Sequence, residues 1–198
     1  MNAISRSARD GERGAERLDG EIALRLLKQR TVMLAGEINR TSVQRTISQL
    51  LLLSEESPNK PIKLFINSPG GDADGGFAIL DMVRFIESPV NMITAGLAAS
   101  AAVIVLLASP KERRFSLANA RFLIHQPSTG VTGDASDIEI EASEILKCRK
   151  KINELIAEET GKTAEQVNTD TSRNFWMSAE EAVKYGLVGK VISSAEEI

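Results

Sequence analysis

The period of apolar positions changes repeatedly along the chain. Residues 31–36, 62–67 and 90–95 are short apolar-rich runs that end at or near Gly, Pro, Asn or Ser, and they read as strands. Between them the spacing turns helical. Residues 40–57 place Val43, Ile47, Leu50 and Leu51 on one face, and 75–87 do the same with Ile79, Met82, Val83 and Ile86. Pro58-Asn59-Lys60-Pro61 is a turn. Residues 98–108 read as a buried helix, and 113–116 and 121–125 as two strands around 117–120. Ser178-Ala179-Glu180-Glu181 has the spacing of a capping box, Tyr185-Gly186 closes the helix it opens, and 187–192 is a last strand. Alternation of this kind builds βαβ units, so the expected class is α/β with a largely parallel sheet. No linker, low-complexity run or internal repeat interrupts the pattern. One domain over 21–198, behind an arm at 1–20, is expected.

Residues 134–159 break the rhythm. Ile138, Ile145 and Ile152 stand seven apart, with Cys148 and Leu155 between them and Glu and Lys around them. This predicts a long helix with a narrow apolar seam at coiled-coil spacing, suited to a partner surface. Cys148 on that seam reads as a small buried hydrophobe. Residues 91–110 carry no charge over 20 positions. Their first half is small and Gly-interrupted and their second half too short to span a membrane, so a strand, a turn and a buried helix are expected instead.

Composition narrows the function. Hydrophobic content is 42%, charged content 26% and formal net charge −3, a globular profile without the basic excess of a nucleic-acid binder. One cysteine excludes an internal disulfide framework and fits a reducing, cytoplasmic setting. One histidine beside one cysteine makes a metal site of those ligands improbable. In the arm, Arg6, Arg9, Arg13 and Arg17 mix with Asp10, Glu12 and Glu16 without an apolar stretch, so it reads as flexible and neither a secretory signal nor a transit peptide.

The candidate chemistry rests on few residues. Ser100 opens the apolar helix just after a strand and Gly96, where free backbone N–H groups favour developing negative charge. The only histidine, His125, follows a strand at Phe122-Leu123-Ile124 and can reach a cleft. A serine nucleophile needs such a base, and the base needs a third group to hold it. Ser68-Pro69-Gly70-Gly71 can leave N–H groups exposed for an oxyanion. Phosphate motifs fail. Gly161-Lys162-Thr163 lacks the first P-loop glycine, Ile156 standing there, and Gly70, Gly71, Gly75 and Gly76 do not fit a dinucleotide fingerprint.

Taken together and in order, Ile66-Asn67-Ser68-Pro69-Gly70-Gly71, Gly96-Leu97-Ala98-Ala99-Ser100, Ile124-His125-Gln126-Pro127, Asp137-Ile138-Glu139-Ile140 and the segment from Ser178 to Val188 resemble the Clp protease proteolytic subunit family, ClpP. The resemblance runs from about residue 22 to 192. It implies a crotonase-like α/β fold with a protruding handle helix at about 134–159. It also implies self-assembly into two stacked heptameric rings, and cleavage of unfolded polypeptides delivered by an AAA+ unfoldase of the ClpX, ClpA or ClpC type. No cofactor, metal, nucleic acid or membrane is implied. By the same resemblance Ser100 is the nucleophile and His125 the base, Gly71 and Ala101 supply the oxyanion N–H groups, and Asn174 takes the orienting position where the family usually has Asp. Asp170, one helical turn earlier, is a candidate substitute acid. Ser172 stands where an acid commonly precedes the arginine, Lys63 where an aromatic lines the unfoldase pocket, and Asp72 and Asp74 where small or apolar residues follow the glycines. These departures resemble the divergent second copy that works in mixed rings with a standard paralogue. They predict low activity of the chain alone; the alternative is an idle structural ring subunit. An acyl-CoA enzyme of the crotonase fold would share only architecture, and leaves the Ser–His pair unexplained.

Overall fold

The computed structural model describes residues 20–128 and 130–198. Most of the expected arm, 1–19, lies outside the described residues, and residue 20 opens a helix, α1, over 20–28. Strand β1 (Thr31–Ala35) leads into α2 (Arg40–Glu56), β2 (Ile62–Ser68), α3 (Ala73–Phe85) and β3 (Val90–Ala99). The short α4 (Ala101–Leu106) precedes β4 (Arg114–Leu117) and β5 (Arg121–Ile124). The long α5 (Ala135–Thr160) is followed by α6 (Ala164–Asp170), β6 (Phe175–Ser178), α7 (Ala179–Tyr185) and β7 (Lys190–Ile192).

The sheet runs β1-β2-β3-β4-β7, all parallel, with β5 and β6 branching from it. The branch point is within β3. Met92, Ile93 and Thr94 pair with β4, whereas Leu97, Ala98 and Ala99 pair with β5. Gly96, at φ +105°, makes the change of direction; a Cβ there would lie 2.7 Å from the Asn67 side-chain oxygen, which accepts the Leu97 N–H at 3.2 Å. Pairing with β5 keeps Ala98 and Ala99 extended, so the helix expected from residue 98 begins at Ala101. Tertiary pairing outweighs the helix preference of alanine here. On the other side α4 is wholly buried, with Val103, Ile104, Val105 and Leu106 at most 2% exposed.

Helix starts follow their caps. Asn39 and Ser42 form a capping box at α2, and Asp72 caps α3 two residues before the expected start. Ser178 and Glu181 form the expected box at α7. Helix α5 stops at Gly161, which adopts the left-handed conformation at φ 72°. Its C-terminal half buries Ile152, Leu155 and Ile156 against the core, while Ile138, Ile140 and Leu146 in the N-terminal half stay exposed. Arg114, buried in β4, reaches Glu159 at the base of this helix at 3.4 Å, and Arg84 of α3 meets the same carboxylate at 2.8 Å. Among the described residues no helix is long and apolar enough to cross a membrane.

Candidate active site

Ser100 occupies the sharp turn between β3 and α4. Its backbone is at φ 56°, ψ −125°, a conformation that L residues with a side chain rarely adopt. The turn is held by its neighbours: the Ser100 N–H donates to the Leu123 carbonyl at 2.9 Å, and the Ser100 carbonyl accepts from Val103 N–H at 2.9 Å. Strain of this kind persists only where the surroundings over-determine it, and the residue it holds lines a cavity.

The glycine turn lies directly above. A Cβ on Gly70 would sit 2.7 Å from the Ser100 Cβ and 2.9 Å from Ala101 N, so this approach requires glycine, and φ is +92° as well. The Gly70 N–H donates to the buried Ser68 Oγ at 3.1 Å. A parallel bridge fixes the turn, with Ile38 N–H donating to Gly70 O at 2.8 Å and Asp72 N–H to Ile38 O at 2.9 Å. The exposed Gly71, at φ 138°, keeps its N–H out of these bonds. Ala101 is the first residue of α4, so its N–H has no partner within the helix.

His125 follows β5, and the antiparallel register of β5 with β6 locates its neighbour. Arg121 faces Ser178 and Ile124 faces Phe175; one further step puts His125 across from Asn174. Asn174 is exposed. No hydrogen bond joins it to His125, or His125 to Ser100, and the buried His125 Nε2 has no hydrogen-bond partner among the described residues. The strand after α6 is latched instead through the next residue: Gln126 N–H donates to Thr171 O at 2.7 Å and Gln126 Nε2–H to Ser172 O at 3.0 Å. The Thr171 hydroxyl, fully buried, reaches Val167 O at 2.8 Å and Asn153 Oδ1 at 3.0 Å.

Asp170 is committed elsewhere, its two oxygens accepting from Tyr185 Oη at 2.8 Å and Gln166 Nε2 at 2.7 Å. Burial, and then the Asp170 carboxylate, push the Tyr185 phenol well above its usual range. Ser172 turns its hydroxyl to Thr169 O at 2.7 Å, and Arg173 has no ion-pair partner among the described residues. Lys63 lines a surface groove with Asn91, Glu112, Arg113 and Phe115, and Arg113 donates to Asn91 Oδ1 at 2.9 Å.

Ser100, His125, Gly71 and Ala101 line one cavity of about 270 Å³, whose floor is Val103, Ile104, Ile124, Ile152 and Ile156. The cavity can seat an apolar side chain beside the serine. Sequence reasoning located all four of these residues, but not the part played by Asn67, Gly70 or the Gln126–Thr171 latch. The run Asn67-Ser68-Pro69-Gly70-Gly71 was the available signal for Asn67 and Gly70; the latch joins residues 45 apart and had none. Among the described residues no group of three or more His, Cys, Asp or Glu is placed to hold a metal.

A parallel α/β sheet that delivers a strained serine, a histidine and a glycine turn to one apolar cavity has the architecture of a hydrolase. The Clp protease family model matches residues 14–195, and the chain belongs to that family. Similar curated proteins include ATP-dependent Clp protease proteolytic subunit 2 of Treponema denticola, 51% identical over 180 residues that cover 91% of this chain and 90% of that protein. The protein of the same name from Gluconobacter oxydans is 48% identical, over 90% of this chain and 80% of that one. Among solved structures, ClpP1 from Listeria monocytogenes, as an Asn-to-Asp mutant, superposes with a TM-score of 0.82 at 44% identity, covering 89% of this chain and 98% of that one. The fold is therefore that of ClpP, as the sequence predicted, and the family membership supports a peptidase.

Proposed function

We propose that this chain is a serine-type endopeptidase subunit of a Clp-type compartmental protease, with Ser100 as nucleophile, His125 as base and then acid, and Asn174 as the group that orients His125. Residues 21–198 form the peptidase domain in this reading. The supporting observation is the single cavity that gathers Ser100, His125, Gly71 and Ala101. His125 takes the Ser100 proton as Oγ attacks the scissile carbonyl, and the carbonyl oxygen, now negative, receives the N–H groups of Gly71 and Ala101. His125 then protonates the leaving amine. Water repeats the sequence on the acyl-enzyme and releases the second fragment.

Asn174 can accept the histidine N–H but brings no negative charge to the imidazolium. In serine proteases the Asp-to-Asn change lowers turnover roughly 10⁴-fold, about 5 kcal/mol of barrier. Activity of the chain alone is therefore low. It works in stacked heptameric rings with a ClpP paralogue, in the cytoplasm, on unfolded polypeptides fed by an AAA+ unfoldase. The exposed half of α5 supplies an apolar surface for such assembly. Lys63 sets a charge among Pro61, Phe115 and Ile198 in its surface groove, where the resemblance expects an aromatic, and this disfavours direct unfoldase docking by this subunit.

A second reading, an idle structural ring subunit, draws on the unpartnered His125 Nε2. Intact mass after incubation of the purified chain with a fluorophosphonate separates the two, with Ser100→Ala as control. One adduct on the wild type alone is expected from an activated serine. Absence of the adduct both alone and in the mixed complex would overturn the peptidase reading.

A further inference from the structure

The Ser100 cavity does not end at its apolar floor. It opens past Asp72, Ala73, Pro127 and Ser128 into a second groove of about 420 Å³ between the N-terminus of α3 and one face of α5. A chain that leaves the Ser100 cavity past these shared residues enters this groove. Its walls are charged, with Asp72, Asp74, Glu141 and Glu144 against Lys147 and Lys151.

The two cations are already engaged. Lys147 Nζ lies 2.6 Å from Glu144 Oε1, and Lys151 Nζ sits over the Phe77 ring, 3.7 Å from its centroid. Asp72 Oδ1 accepts the Asp74 N–H as the cap of α3. The carboxylates of Asp74 and Glu141 are both exposed and have no hydrogen bond or ion pair among the described residues. The Asp74 charge reaches the groove wall: the Cys148 thiol, which lines it, is pushed up first by burial and then by Asp74, with Lys151 acting in the opposite direction. Removing a substrate's cationic side chain from bulk water into such a cleft is compensated by these carboxylates, whereas an anionic side chain is repelled.

Resting on the peptidase reading, we propose that the groove between α3 and α5 selects substrate segments carrying a lysine or arginine beside the bond cleaved at Ser100. Asp74 and Glu141 determine that specificity, while the apolar cavity takes the neighbouring side chain.

Two measurements on the full-length chain test this. The first needs no catalysis. Cys148 is the only cysteine, so paired methanethiosulfonate reagents, one cationic and one anionic, read the potential of the groove through their relative rates, and the raised thiol pKa cancels in the ratio. The cationic reagent should react about tenfold faster at low ionic strength, with the ratio collapsing in Asp74→Asn/Glu141→Gln. A ratio at or below one, after correction for the reagents' rates with a small thiol, would overturn the inference. The second measures hydrolysis of peptides that differ only in Lys, Gln or Glu at flanking positions, with Ser100→Ala as blank. Lys peptides should outpace Glu peptides by about five- to tenfold at one flank, and the double variant should erase the difference while keeping Gln-peptide turnover. Equal Lys and Glu rates in the wild type would sink the specificity and leave the peptidase reading standing. Failure to hydrolyse any peptide, alone or with the paralogue, would count against the peptidase reading, and the thiol ratio would still decide the groove.

Discussion

At the scale of single residues the site turns on Asn174. The β5–β6 register sets it across from His125, and in the proposed mechanism an amide there cannot offset the charge that His125 gains in the transition state. Asn174→Asp should raise kcat for a fluorogenic peptide by at least about tenfold, with KM little changed, because the carboxylate acts on the transition state. An unchanged kcat would remove Asn174 as the limiting group. Asp170 is not the spare acid, since Tyr185 and Gln166 hold both its oxygens. Gly70 makes the opposite kind of demand. In Gly70→Ala the new methyl would collide with Ser100 and Ala101 N, so fluorophosphonate labelling should disappear even where circular dichroism shows a folded protein. Retained labelling would mean the turn relaxes without disturbing the serine.

At the scale of elements, α5 has two halves with different tasks. Its base is anchored by Glu159, which compensates the buried Arg114 and also meets Arg84. Glu159→Ala leaves the buried Arg114 without its ion-pair partner and should cost about 3 kcal/mol, a fall in Tm of roughly 6–12 °C by thermal melting. The outer half carries Ile140 and Leu146 exposed to solvent. Ile140→Asp with Leu146→Asp should therefore leave the melting curve almost unchanged but shift sedimentation toward smaller species. Full-size assemblies from the double variant would show that this stripe is not the joining surface. The seven-residue spacing of isoleucines made the helix legible in sequence, but the seam divides: Ile152 and Leu155 pack into this chain's own core, and the exposed Ile140 and Leu146 lie off it. Helix α6 and strand β6 were not foreseen. Both are short: α6 buries only Val167, and β6 is a run of three apolar residues, Phe175 to Met177, without alternation, so neither is long enough to show a period.

At the scale of the whole molecule, the proposed function makes this a subunit that depends on a partner, on the strength of Lys63, Ser172 and Asn174. Mixing with an active paralogue should yield hetero-assemblies in native mass spectra, and peptidase activity from this chain's Ser100 measurable when the paralogue's own serine is replaced. Stable double rings with full activity from the purified chain alone would contradict that dependence.

What the sequence determined by itself was local and periodic. Alternation of strand and helix patterns set the α/β class, the capping box at Ser178 set where α7 begins, and three short motifs marked Ser100, His125 and Gly71 as candidates. These follow from side-chain spacing and backbone preference within a few residues. The tertiary structure decided what requires distant segments to meet. Pairing with β5 held Ala98 and Ala99 in a strand and so forced the turn at Ser100. The register of β5 on β6 chose Asn174 as the residue facing His125, and the packing of α5 beside α3 joined a charged groove to an apolar cavity. No local pattern encodes such contacts, because each depends on hydrogen-bond pairing and packing between residues far apart along the chain.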